Sequence, residues 1–176
     1  MINTAFQRKI GSIRWLLWML ALVIMLSACG VSFAEDTYTS SIKFKDGSPT
    51  AYFGGDTVNI YSNLRKEGAA QLPAGSYTVI TLPKDVFVKP EEKDLYTAFP
   101  QYQNMEVKET ADSYQLCIYY NTLGGGFDVS VPIKLKLLGG KVVNKRDYTI
   151  SQSFCNAEGE VLAGPSSITL TGKPNC

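Results

Sequence analysis

From Thr37 onward the chain alternates apolar and polar residues over short runs, and glycine or proline breaks each run before a helical spacing develops. Ser76-Tyr77-Thr78-Val79-Ile80-Thr81-Leu82 alternates and stops at Pro83, which is the pattern of a half-buried strand entering a turn. Val129, Val131, Ile133, Leu135 and Leu137 share one face of a longer strand, with Ser130, Lys134 and Lys136 on the other. One side therefore covers a core and the other meets water. Pro132 sits within this strand. Because proline has no amide hydrogen to give to a ladder, it marks an edge strand or a bulge.

The same reasoning predicts strands over 37–45, 51–62, 75–82, 105–110, 114–120, 127–138, 141–154 and 167–171. That density makes residues 35–176 a single all-β domain, an immunoglobulin-like sandwich of about eight strands. Gly139-Gly140 predicts a two-residue hairpin joining 127–138 to 141–154. The second of these strands sets Val143, Lys145, Asp147, Thr149, Ser151 and Ser153 largely opposite Val142, Tyr148, Ile150 and Phe154. Residues 63–74 and 89–104 are expected to be loops, the second long enough for a binding loop.

Residues 1–34 follow another rule. Arg8, Lys9 and Arg14 precede an apolar run from Trp15 to Leu26, and no acid occurs before Glu35. A basic region followed by such a run is a secretory signal helix, so the rest of the chain is expected outside the cytoplasm. Leu26-Ser27-Ala28-Cys29 resembles the bacterial lipobox, in which the thiol takes a diacylglycerol and becomes the mature N-terminus. Cys29 is accordingly the expected lipidation site, and the membrane the expected partner of the N-terminus. Two other outcomes stay open. Ser32 and Ala34 suit ordinary cleavage after Ala34, giving a secreted protein. Uncleaved, the charge-free stretch from Trp15 to Ala34 is long enough to span about 30 Å of bilayer as an anchor. Thr171–Cys176 holds neither a sortase-type motif nor an apolar tail, so anchoring is expected to fall on the N-terminus.

Composition removes several functions. Of 17 lysines and arginines three lie before Glu35, whereas all 16 acids lie from Glu35 onward, which leaves the exported part at −2. No electrostatic case for nucleic acid remains. The absence of histidine removes Ser-His and Cys-His nucleophile pairs and histidine-ligated metals, so neither metal nor cofactor is expected. Asp85, Glu91, Glu92 and Asp94 are interspersed with Lys84, Lys89 and Lys93 and match no calcium loop, as in a solvated segment. Gly124-Gly125-Gly126 precedes a strand and not a helix, so it is a turn and not a phosphate cradle.

Cys117 and Cys155 both fall in or beside strand patterns, and export makes a disulfide between them the expected state. Bridging the two sheets, it would contribute on the order of 3–4 kcal/mol. Two buried thiols that never meet are the alternative, and Cys176 is left to pair between molecules or to substitute. Tyr96, Phe99, Tyr102, Tyr114, Tyr119 and Tyr120 make an aromatic-rich middle. Exposed, such residues supply adhesion hot spots, but core packing is expected for most.

Gly55-Asp56-Thr57-Val58, the run from Gly75 to Lys84, the run from Tyr119 to Phe127 and Val131-Pro132-Ile133 resemble the immunoglobulin-like modules of Gram-positive surface adhesins, over about residues 50–138. The resemblance implies a non-enzymatic cell-surface sandwich used for attachment or as a spacer, with a host or envelope protein or a polysaccharide as partner. It carries over no ligand residue. Some members cross-link lysine to asparagine beside a helping acid, but no spacing among Lys43, Lys45, Asn144 and Asn156 assigns such a pair. Two other readings are an envelope partner-binding or assembly factor that uses an edge strand, hinted at by Pro132, and a histidine-free hydrolase in which Asp56 and Asp128 share acid-base work.

Overall fold

The computed structural model describes residues 35–92, 102–121, 124–139 and 146–174. The expected signal segment, Cys29, Tyr96, Phe99, the first part of the strand expected at 141–154, and Cys176 lie outside them. The described residues carry β1 (Thr37–Phe44), β2 (Ala51–Tyr52), β3 (Thr57–Glu67), β4 (Tyr77–Pro83), β5 (Tyr102–Glu109), β6 (Ser113–Tyr120), β7 (Phe127–Lys136), β8 (Asp147–Cys155) and β9 (Val161–Gly172). One sheet has the order β1-β3-β7 and the other β2-β9-β8-β4-β6-β5. All pairings are antiparallel except β2 with β9.

The protein is an all-β sandwich, as the alternation requires. Ile60, Leu64 and Ile133 of the smaller sheet and Ile80, Ile150 and Phe154 of the larger are all buried in one apolar cluster. Their neighbours in sequence point outward, so every strand spends half its side chains on the core. Pro132 lies on β7, an edge of the smaller sheet, where its missing amide hydrogen costs no ladder bond.

Three expectations change. The two strands expected to pair across Gly139-Gly140 are not neighbours over their described residues: β7 pairs with β3, β8 pairs with β4 and β9, and the two belong to different sheets. Both have an apolar face to bury, and crossing between sheets lets those faces meet across the core instead of lying side by side. Beyond β7, Leu137 forms a bridge with Phe87, with Val88 N–H donating to Lys136 O at 2.9 Å. The strand expected at 51–62 is split, because Phe53 N–H donates to Asp56 Oδ2 at 2.8 Å and folds residues 53–56 into a turn, sending β2 and β3 to different sheets. The loop expected from residue 63 starts later, since Leu64 and Lys66 continue the inward period of β3.

Two polar side chains occupy core positions with their partners built in. Lys66 is fully buried, and its Nζ donates to Asp36 Oδ1 at 3.0 Å and Gly68 O at 3.2 Å. A Cβ at Gly68, whose φ is +114°, would lie 1.9 Å from Asp36 Oδ1, so only glycine lets the carboxylate reach the ammonium. Gln152 on β8 donates through Nε2 to Ser40 Oγ, Ser41 O and Asn63 O at 2.9, 3.0 and 3.1 Å, tying the larger sheet to β1 and β3.

Candidate functional site

The outward positions of the larger sheet fall in register across its strands. One row runs Val161–Cys155–Tyr77–Tyr119–Asn104 over β9, β8, β4, β6 and β5. The next runs Ser153–Val79–Cys117–Glu106, and the one beyond it Ser167–Ser151–Thr81–Gln115–Lys108. The face thus has an apolar, aromatic stripe at one end and a field of hydroxyl and amide side chains beside it.

Tyr77 and Tyr119 stand side by side with ring centroids 5.2 Å apart and planes at 37°. Lys108 Nζ lies 5.8 Å from the Tyr77 ring centroid, inside cation–π range, and donates to the Tyr119 hydroxyl at 3.3 Å. That hydroxyl donates to Glu106 Oε2 at 3.3 Å. The hydrogen bond to Tyr119 holds the Lys108 ammonium above its ordinary range, and burial pushes the Tyr77 phenol up. Both groups keep their protons at neutral pH, so the cluster offers hydrogen-bond donors, a π surface and balanced charge.

The two thiols belong to this face, and here the structure corrects the expected disulfide. Cys117 and Cys155 are free and buried. Cys117 faces Val79 from β6 and Cys155 faces Tyr77 from β8, so β4 lies between them in one sheet. Two strand spacings put their Cα atoms at least about 9.6 Å apart, beyond the roughly 7 Å that a bridge spans. Burial raises both thiols above their ordinary range, so neither is an activated thiolate.

Asp56 and Asp128 are separated too. Thr57 lies opposite Lys136 and Arg65 opposite Asp128, so the two carboxylates sit at opposite ends of the β3–β7 ladder. At about 3.4 Å per residue they are roughly 30 Å apart. Acid-base pairs in glycoside hydrolysis work within about 10 Å. Asp56 and Asp128 are therefore too far apart to share acid-base work as a pair. Each carboxylate has a local task, Asp56 in the 53–56 turn and Asp128 accepting from Asn63 Nδ2 at 2.6 Å. Lys43 pairs with Asp46, and the Asn156 amide donates to Glu160.

The aromatic middle divides between two roles. Tyr120 is buried and its hydroxyl shares a hydrogen bond of 2.8 Å with Thr78 Oγ1, Tyr114 packs against the core, and Tyr119 faces outward. Sequence reasoning missed the outward face because it judged strands by their apolar side. The signal lay in the polar side, which in β8 is Thr149, Ser151 and Ser153 where β7 has Lys134 and Lys136.

No protein-family model matches the chain, and no curated protein matches it by sequence. Among solved structures it is similar to the CARDB domain of a Pyrococcus furiosus protein, at 12% identity and TM-score 0.43, over 80% of this chain and 96% of that one. A type III cohesin module from a cell-surface anchoring scaffoldin of Ruminococcus flavefaciens is 16% identical over 80% of this chain and 92% of its own, with TM-score 0.44. The major pilin subunit of Bacillus cereus is 15% identical over 78% of this chain and 39% of its own, with TM-score 0.43. The fold is read from the two sheets themselves and not from these similarities.

Proposed function

We propose that the chain is an exported, non-enzymatic β-sandwich module, held at the cell membrane through a lipid on Cys29, that works by docking through the outer face of its larger sheet. The observation that carries the docking face is the row Val161–Cys155–Tyr77–Tyr119, an apolar stripe on a side of a sheet that normally alternates to charge. The stripe lies at one end of the face beside uncharged hydroxyl and amide side chains, and tyrosine with few charges is the composition favoured in protein interfaces. Export and lipidation are supported by the basic region, the apolar run and the lipobox resemblance at Leu26-Ser27-Ala28-Cys29. The edge strand β7 is less suited to partner pairing, because Pro132, Lys134 and Lys136 on it are devices that discourage strand addition.

Two measurements test the proposal. The mass of the mature N-terminus should show a diacylated Cys29, and Cys29→Ser should release the protein or stall its processing. A free Glu35 would replace the anchor with secretion. A photo-crosslinking residue at Ser151 of the full chain should capture a partner in exporting cells, while the same residue at Thr39 on the other sheet should not; equal capture at both sites would sink the docking face.

A further inference from the structure

We propose that the partner of this face is the same face of a second copy of the chain. The inference rests on the docking reading above and names its occupant.

Charge is the first ground. On the outer side of β9, β8, β4 and β6, Asp147 is the one charged residue among those described, and its Oδ1 accepts from Thr171 Oγ1 at 2.6 Å at the end of β8. Glu106 and Lys108 on the β5 border neutralise each other at 3.5 Å. The outer side of the smaller sheet differs, carrying Lys43, Arg65, Glu67, Asp128, Lys134 and Lys136. A twofold contact sets a patch against its own image. Unbalanced charge opposes that arrangement, whereas a face whose one uncompensated charge lies at its end meets its copy with little repulsion.

Chemical self-matching is the second ground. Ser151, Ser153, Ser167 and Thr81 each carry a hydroxyl, which both donates and accepts, so such a field can hydrogen-bond to itself. Val161, 55% exposed, and the Tyr77–Tyr119 pair supply an apolar stripe for the mirrored stripe to cover. Extent is the third. Five strands about 4.8 Å apart, each about eight residues long at about 3.4 Å per residue, give a face of roughly 24 by 27 Å, or roughly 650 Å² in projection. That approaches the roughly 800 Å² per partner of a standard protein interface, and a single sugar ring or short peptide would leave most of it wet.

The test is the mass of the full-length protein in mild detergent, with the detergent subtracted, at about 50 µM, where a dimer with Kd near 5 µM or tighter predominates. The expected mass is twice that of one chain. Ser151→Lys with Ser167→Lys should restore the single-chain mass while leaving the thermal melt in place, and Val161→Glu, at an exposed position, should do the same if the lysines disturb folding. Thr39→Lys on the other sheet should leave the dimer intact. A wild-type monomer overturns the inference, as does a dimer that survives the face substitutions in folded protein. If the monomer still gives cross-links from Ser151 to a different protein or to a polysaccharide, the twofold partner is wrong and the docking face stands. Loss of both signals removes both.

Discussion

Two ion-pair clusters in this small sandwich differ sharply in burial. Lys66 is sealed in the core with its side chain fully covered, and Asp36, 19% exposed, is its partner at 3.0 Å. Glu109 sits at the rim between Lys84 and Lys89, at 3.0 Å from Lys89, with every side chain of the trio at least 32% exposed. A pairwise reading makes the two alike. Physically they are not, because a buried charge stripped of its partner has no water to turn to, whereas an exposed one is rehydrated at once. Position, and not the pair itself, decides which cluster the fold depends on.

The largest effect should follow from Asp36→Ala, which leaves the Lys66 ammonium in the core with only Gly68 O. The expected loss is about 3 kcal/mol in urea unfolding, at the lower end for a broken buried pair because Asp36 is partly exposed. Lys66→Met should cost less than Asp36→Ala, since the carboxylate left behind reaches solvent and the thioether chain refills the space. Equal losses for the two would break the comparison. Next in size is Gln152→Leu, which removes all three donations to β1 and β3, strands of the opposite sheet, and deprives the buried Ser40 hydroxyl and the part-buried Ser41 and Asn63 carbonyls of a donor at a cost of about 2 kcal/mol. Tyr120→Phe, which deletes the buried bond to Thr78 but keeps the ring against Phe154, should cost about 1 kcal/mol by the same measurement.

The sequence made the strands legible and the buried polar residues almost invisible. Period-two alternation located β1, β4, β6 and β7 closely, because each covers a core with one face, and of the edge or bulge that Pro132 implied the structure has the edge. Alternation carries no information about which strand is a neighbour, so the expected pairing of β7 with β8 and the bridge between sheets both failed. Lys66 at a core position looks like the end of a strand until Asp36 and Gly68 are seen to close over it. The docking face was legible in principle, as a run of serine and threonine where a solvated strand carries charge, but only pairing registers show that the runs of separate strands align.

The thiols sharpen the contrast from the side of reactivity. Burial raises the Cys117 thiol, with Lys108 pulling weakly the other way, and burial also raises Cys155. Both should alkylate slowly in folded protein at neutral pH and fully once the chain is unfolded without reductant. Peptide mapping that recovers Cys117 linked to Cys155 in unreduced protein would show that β4 is not where the registers place it.

The smallest effect belongs to the rim. Hydrogen bonds from Lys84 first and Lys89 second lower the Glu109 carboxyl below its ordinary value of 4.5. A carboxylate with a depressed folded value stabilises the fold above the unfolded value, and that contribution is lost as pH falls through the folded one. Glu109→Gln should therefore lower the melting midpoint slightly at neutral pH, and wild type and variant should converge as the pH drops below the ordinary carboxylate range. Because the trio is exposed, added salt should shrink the neutral-pH difference further. The Asp36→Ala deficit should resist salt, since its charge lies under the sheets and not in water. A rim deficit that withstood salt, or a core deficit that salt erased, would mean that burial does not rank these two clusters.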